Sequence, residues 1–480
     1  MARMQYVRLN LYLFTIISLT FCVSVAAQDA SPSAQSPWPA KNVILFIGDG
    51  MGVSTVTAAR IYDGQSRGEL GEENMLSFEL FPSLALVKTY NSNQQVPDSA
   101  GTATAINTGV KTRAGAIGVG PAAEIGNCMQ GLANRLPTAA EQLAQRGKAI
   151  GIVSTARITH ATPAAVFAHV PDRDWENDAT IPVGERGKGC VDIAIQLTEF
   201  PFDVALGGGR REFFGKDKGG KRIDAKANIV APWSKQTRGH YVTTGAELNA
   251  APRDGKPLLG LFSSSHMTYM LDRTTDTAEP TLSEMTAAAI DRLAGDPDGY
   301  FLMVEGGRID HGHHDGKAAY ALSETQELAR AVQLALGKVD LSNTLILVTA
   351  DHSHVFTIAG YPTRGNPILG FVMGNDDQGN PTGKPIAALD GQPYTTLGYQ
   401  NGPGAMASWP RPAPSNDTRA PQQALVPTGD AFNGAASPSE THGGEDVPLY
   451  ATGAGSDRVR GVIEQNRIFA IIMSALGLGN

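Results

Sequence analysis

Cysteine is scarce in this chain, with three in 480 residues. None lies in its histidine-rich stretches, which excludes thiolate metal sites there. Basic residues are neither in excess nor clustered. The 39 Lys and Arg against 47 Asp and Glu give a formal net charge of −8. That balance argues against a nucleic-acid-binding surface, and no such role is expected. No internal repeat is present, and no apolar run after residue 27 could span a bilayer. Two hydrolase signatures are also missing. There is no Gly-x-Ser-x-Gly elbow, and Gly48-Asp49-Gly50-Met51-Gly52 lacks the Gly-Lys-Ser/Thr ending of a phosphate-cradling loop.

What is present begins with a processing signal. Arg3 and Arg8 lead an apolar run from Leu9 to Val25, and Val25-Ala26-Ala27 offers small residues for cleavage. Residues 1–27 are read as a signal peptide in preference to a membrane anchor, and a periplasmic or secreted location is expected. Phe21 makes Cys22 a poor lipoprotein site. Removal of that segment leaves Cys128 and Cys190, an even pair that points to one disulfide in an exported chain. Two buried thiols are the alternative.

Residues 28–40 read as a flexible Pro/Ser/Ala leader, and 41–480 as the catalytic domain. The chain is 42% hydrophobic, enough for a large core. Short apolar runs alternate with helical stretches at 42–48, 85–90, 149–154, 203–206, 258–262, 300–304 and 344–349. Continuous rather than alternating hydrophobicity predicts strands buried on both faces. The expected fold is therefore a doubly wound α/β architecture, with a mostly parallel central sheet flanked by helices on both faces. From about 357 to 440 the chain is rich in Gly, Pro, Asn, Gln and Thr and reads as an irregular insertion. The periodicity of Val459, Ile463, Ile468, Ile471 and Ile472 predicts a closing helix over 457–476.

Acids gather where the strands end. Asp49 follows the first strand, Glu305 the sixth, and Asp351-His352 the seventh. Ligands bind beyond the carboxyl ends of strands in such sheets, and three acids converging there need cations between them. Six of the ten histidines fall in Glu305–His314, Asp351–His354 and Thr441–Asp446. Asp310 and His314 are four residues apart, which places them on one face if that segment is helical. Mixed Asp/His ligation suits catalytic zinc, and this many candidate ligands fits two or three ions better than one.

The candidate nucleophile is Ser99 in Pro97-Asp98-Ser99-Ala100-Gly101-Thr102-Ala103-Thr104-Ala105. Small residues and alanines after it place it at a helix N-terminus, where amides and dipole favour a bound phosphate. By itself such a serine is more often a cap.

Together these motifs resemble the alkaline phosphatases. The resemblance rests on Gly-Asp-Gly-Met-Gly, Asp-Ser-Ala-Gly-Thr-Ala-Thr-Ala, Val-Glu-Gly-Gly-Arg-Ile-Asp-His-Gly-His-His, Ala-Asp-His-Ser-His and His-Gly-Gly-Glu-Asp-Val in family order. It implies hydrolysis of phosphate monoesters through a phosphoserine at Ser99, with two zinc ions and one magnesium ion. Asp310, His314 and His442 would hold the first zinc. Asp49, Asp351 and His352 would hold the second, with Ser99 as a further ligand. Asp49 would bridge to the magnesium, completed by Glu305 and Thr162. Arg173, in Pro171-Asp-Arg-Asp-Trp175, matches the arginine that grips phosphate. His160 and His311 match positions that orient the magnesium's ligands, as in the animal branch. The Cys128–Cys190 pair is similar to a disulfide of that branch.

Other features depart from the animal enzymes. Their calcium site needs acids where Ser263-Ser264-Ser265-His266 stands, so it is not expected here. Neither a lipid anchor nor a long N-terminal dimer arm is expected. The 357–440 insertion corresponds to the family's variable crown, and the resemblance implies a homodimer. Two rival readings are a phosphodiesterase or sulfatase of the same superfamily, and a non-catalytic extracellular binding protein.

Overall fold

The computed structural model describes residues 39–405, 411, 415, 417–428 and 439–478. The expected signal peptide, most of the leader and parts of the 357–440 insertion lie outside the described residues. In chain order the strands are β1 (Asn42–Gly48), β2 (Ser83–Lys88), β3 (Ala149–Arg157), β4 (Val204–Gly208), β5 (His240–Val242), β6 (Leu258–Leu261), β7 (Tyr300–Gly306) and β8 (Thr344–Ala350). After them come the short β9 (Ser353–His354), β10 (Phe356–Ile358), β11 (Met373–Asn375), β12 (Pro381–Pro385), β13 (Leu397–Asn401), β14 (Gln423–Val426) and β15 (His442–Gly443). The series closes with β16 (Val447–Gly453) and β17 (Arg460–Glu464).

Ten of these strands form one sheet in the order β17-β2-β16-β8-β1-β7-β3-β4-β6-β5. All run parallel except β16, which is antiparallel to both β8 and β2. Side chains along a strand alternate between faces, so the complete burial of β7 and β8 requires cover on both sides. The helices Val53–Ser66, Leu282–Leu293 and Ala318–Lys338 pack as one group, and Ser99–Thr108 packs with Arg467–Ala475 and Ala161–Ala164. The expected α/β architecture is what the chain adopts.

All seven anticipated strands are present, displaced by up to three residues at their ends. β5, β16 and β17 were not anticipated. Their runs are short or, as in Val447–Gly453, interrupted by proline and glycine. The closing helix is shorter than expected, covering Arg467–Ala475. Its intended first half is β17, which pairs in parallel with the edge of β2 from Arg460↔Leu84 to Glu464↔Lys88. Gly461 has φ of 74°, which a helix does not accept, and pairing satisfies the open edge of β2. The described part of the insertion is not wholly irregular, since β10, β13 and β14 form a small sheet and β11 pairs with β12.

Cys128 and Cys190 form a disulfide that closes 62 residues of chain, with Cα atoms 5.8 Å apart. In the chain-entropy view such a link restricts the unfolded state. Replacing both cysteines with serine should therefore lower the unfolding free energy by about 2–4 kcal/mol, read from urea denaturation.

Candidate metal centre

Strand register builds the centre. Gly48 lies opposite Ala350 of β8 and Gly306 of β7, so Asp49 emerges beside Asp351. One residue earlier, Ile47 faces Glu305, and Glu305 faces Ser154 of β3. Neighbouring strands lie roughly 4.8 Å apart, so three carboxylates from adjacent strands share one space, and all three are fully buried. Gly50 turns the chain away from β1 with φ of 69°, and a Cβ there would collide with the His354 ring. Its amide donates to Asp351 Oδ1 at 3.0 Å.

These acids are short of partners. Asp49 Oδ2, Asp351 Oδ2 and Glu305 Oε1 are buried with no hydrogen bond. Burial first, then the charge of Asp351, raises the Asp49 carboxyl well above its ordinary value. Burial likewise pushes Glu305 up to about 8, although the Ser154 and Thr162 hydroxyls act against it. Thr162, in the short helix Ala161–Ala164, approaches Glu305 without reaching hydrogen-bond geometry, and its Oγ1 is unpartnered.

A second cluster forms around Asp310. The helix Arg308–His314 sets Asp310 and His314 on one face, with His314 Nε2 3.3 Å from Asp310 Oδ1. His442 Nε2 lies 3.4 Å from the same oxygen and 3.0 Å from His314 Nε2. Each ring commits its other nitrogen to a carbonyl. His314 Nδ1 donates to Glu440 O at 2.7 Å, and His442 Nδ1 donates to Pro97 O at 2.8 Å. Neutral imidazoles so arranged carry bare lone pairs on both Nε2 atoms, facing each other and a carboxylate. A cation reconciles that geometry.

Ser99 opens the helix Ser99–Thr108, where the Asp98 carboxylate accepts from Gly101 N at 3.0 Å as N-cap. Its Oγ lies 3.1 Å from His352 Nε2 and 3.4 Å from Asp49 Oδ1. Asp98 has a second task. Its other oxygen accepts from Gly115 N at 2.9 Å and from Arg173 Nη1 at 3.2 Å. Arg173 Nη2 donates to His160 Nε2 at 3.0 Å. That bond leaves the proton of neutral His160 on Nδ1, so His160 is better suited to hold Arg173 than to ligate a metal, although it lies near Asp49 and Glu305. Ser99, Arg173, His311, His314 and His442 all line one cavity of about 620 Å3.

The structure thus brings Asp49, Asp351, His352 and Ser99 together, Asp310, His314 and His442 together, and Glu305, Thr162 and His160 behind them. Sequence reading gave His313 no role. Between Thr55 Oγ1 and Tyr399 Oη, each 2.9 Å from a ring nitrogen, it is fully buried as a packing residue. It also overlooked Asp98 as an anchor, and His354, whose Nε2 is 2.9 Å from Asp310 Oδ1. The chemistry of the set suits divalent cations, with unpartnered carboxylate oxygens, converging imidazole lone pairs and no thiolate.

The alkaline phosphatase family model matches residues 40–478. The tissue-nonspecific alkaline phosphatase of Gallus gallus is 45% identical over 453 residues, covering 89% of this chain and 83% of that one. The alkaline phosphatase of Gadus morhua is 43% identical over 451 residues, covering 89% and 90%. Among solved structures, Thermus thermophilus alkaline phosphatase superposes with a TM-score of 0.66 at 25% identity, covering 93% of each chain.

Removing metal should expose the repulsion. A carboxyl raised in the folded state, such as Glu305 moving from 4.5 to about 8, favours folding while protonated. That contribution is complete below its unfolded value and is lost as pH rises through the folded one. The melting temperature of EDTA-stripped protein, taken relative to that of stripped Glu305→Gln, is therefore expected to fall between about pH 5 and 8, and zinc with magnesium should restore it. A difference that instead grows in favour of the parent across that window would contradict this reading.

Proposed function

Because the chain belongs to the alkaline phosphatase family and so hydrolyses phosphate monoesters in a metal-dependent reaction, we infer that Ser99 is its nucleophile and forms a phosphoserine. One observation carries this reading: Ser99 Oγ lies within 3.1 Å of His352 Nε2 and 3.4 Å of Asp49 Oδ1, inside a cluster of metal-ligand side chains. Asp310, His314 and His442 would hold one zinc ion, and Asp49, Asp351 and His352 a second. Asp49, Glu305 and Thr162 would hold a magnesium ion. Bound there, the ions supply Lewis-acid chemistry, lowering the pKa of a coordinated oxygen and neutralising charge on the phosphoryl group.

The chain's own residues supply position. The N-cap fixes the first turn of the Ser99 helix, which aims Oγ at the phosphorus. Attack by Oγ expels the ester oxygen, and water then cleaves the phosphoserine to release inorganic phosphate and free Ser99. Arg173, held by Asp98 and His160, presents its remaining donors to two phosphoryl oxygens. His311 and His160 line the same cavity and keep neighbouring groups in place. Removal of residues 1–27 on export and assembly as a homodimer belong to the same reading, and light scattering should report twice the chain mass.

Ser99→Ala is expected to reduce turnover of p-nitrophenyl phosphate by about three orders of magnitude or more while zinc stays bound. Arg173→Ala should reduce kcat/KM roughly 100-fold. Faster cleavage of bis-p-nitrophenyl phosphate than of the monoester would overturn the monoester specificity.

A further inference from the structure

Behind the Asp310 cluster sits a carboxylate with no place in the chemistry described so far. Glu440 is 1% exposed, and among the described residues no Lys or Arg pairs with it. A buried carboxylate so placed must be held by hydrogen bonds. Its Oε1 accepts from Val355 N at 2.8 Å, and its Oε2 lies 2.5 Å from His354 Nδ1. The opposite nitrogen of the same ring, Nε2, donates to Asp310 Oδ1 at 2.9 Å. Both nitrogens of His354 thus face carboxylates, leaving no lone pair for a metal. His354 is a strut between Glu440 and Asp310.

The backbone of Glu440 acts on a second ligand. Its carbonyl accepts from His314 Nδ1 at 2.7 Å, and its amide donates to His314 O at 2.9 Å. That carbonyl bond turns His314 Nε2 towards Asp310 and His442. Two residues further on stands His442 itself, on β15, which pairs with β9 through His442↔His354. Glu440 therefore contacts His314 directly, reaches Asp310 through His354 and lies two residues before His442.

We propose that Glu440 is a positioning residue of the metal centre, its carboxylate orienting Asp310 through His354 while its backbone carbonyl orients His314. This rests on the reading that Asp310, His314 and His442 hold zinc. A partner behind a ligand fixes its orientation and raises its basicity, and losing one weakens metal affinity by about 10–100-fold. The side-chain arm can be cut without touching the carbonyl arm. Glu440→Ala removes both acceptors of the carboxylate. Glu440→Gln keeps one acceptor for Val355 N but removes the anion facing His354, so its effect should be smaller.

The test is competition for zinc between purified holoenzyme and a chelator of known affinity, with zinc counted by mass spectrometry and folding followed by circular dichroism. Glu440→Ala should release zinc at about 10–100-fold lower chelator concentration than the parent, with Glu440→Gln between them. A residue that merely stabilised the fold would lower the melting temperature of the stripped proteins and leave this graded order in zinc retention absent. If Glu440→Ala does not fold, Glu440→Gln decides alone, with roughly 3–10-fold weaker retention expected. Zinc retention equal to the parent in the folded variant overturns the role of Glu440. A parent protein that binds no zinc overturns the ligand assignment instead, so the two failures are distinct.

Discussion

Like charges that cannot reach water set the terms for this molecule. Asp49, Glu305 and Asp351 stand on three neighbouring strands and are fully buried, with an oxygen of each left unpartnered. A sheet of pure hydrocarbon would be more stable at those strand ends. Parallel register brings all three together at one edge, where divalent cations would compensate them. The surrounding order follows from that requirement. The helix Arg308–His314 presents its acid and imidazole on one face, and carbonyls claim the Nδ1 protons of His314 and His442.

Asp98 ties the Ser99 helix to Arg173. It caps the helix that starts at Ser99 and also anchors Arg173 and the Gly115 amide. The helix cap and the arginine's position therefore respond together to any change at this residue. A serine at a helix start is an unremarkable feature of sequences. What distinguishes Ser99 is that its cap also holds a guanidinium, and its hydroxyl points into a cluster of acids and imidazoles.

The central strands were legible because complete burial leaves a continuous apolar run, and the acids were legible because each follows such a run. Asp49, Asp351 and Glu305 could be found from that rule alone. Less could be read where long-range pairing decides the outcome. Val459 to Ile472 carries a helical period, yet the open edge of β2 takes its first half as a strand. Arg173 and Thr162 had no local signal, and only the family resemblance pointed to them. Glu440 closes a stretch dense in polar and turn residues, where one more acid draws no notice. Its partners His354 and His314 are 86 and 126 residues away in sequence.

That separation has a consequence for how the protein comes into being. Gly50 meets Asp351 across 301 residues, and His442 meets Pro97 across 345. A nascent chain that has released Asp49, Ser99 and even His314 still lacks His442, so the Asp310 cluster stays incomplete until residue 442 has been made. Contacts of such span also form late in folding, because the intervening loops must close first. Ions at that cluster would accordingly be captured only after residue 442 has been made, and metal supply from that point on would set the fraction of molecules that become active.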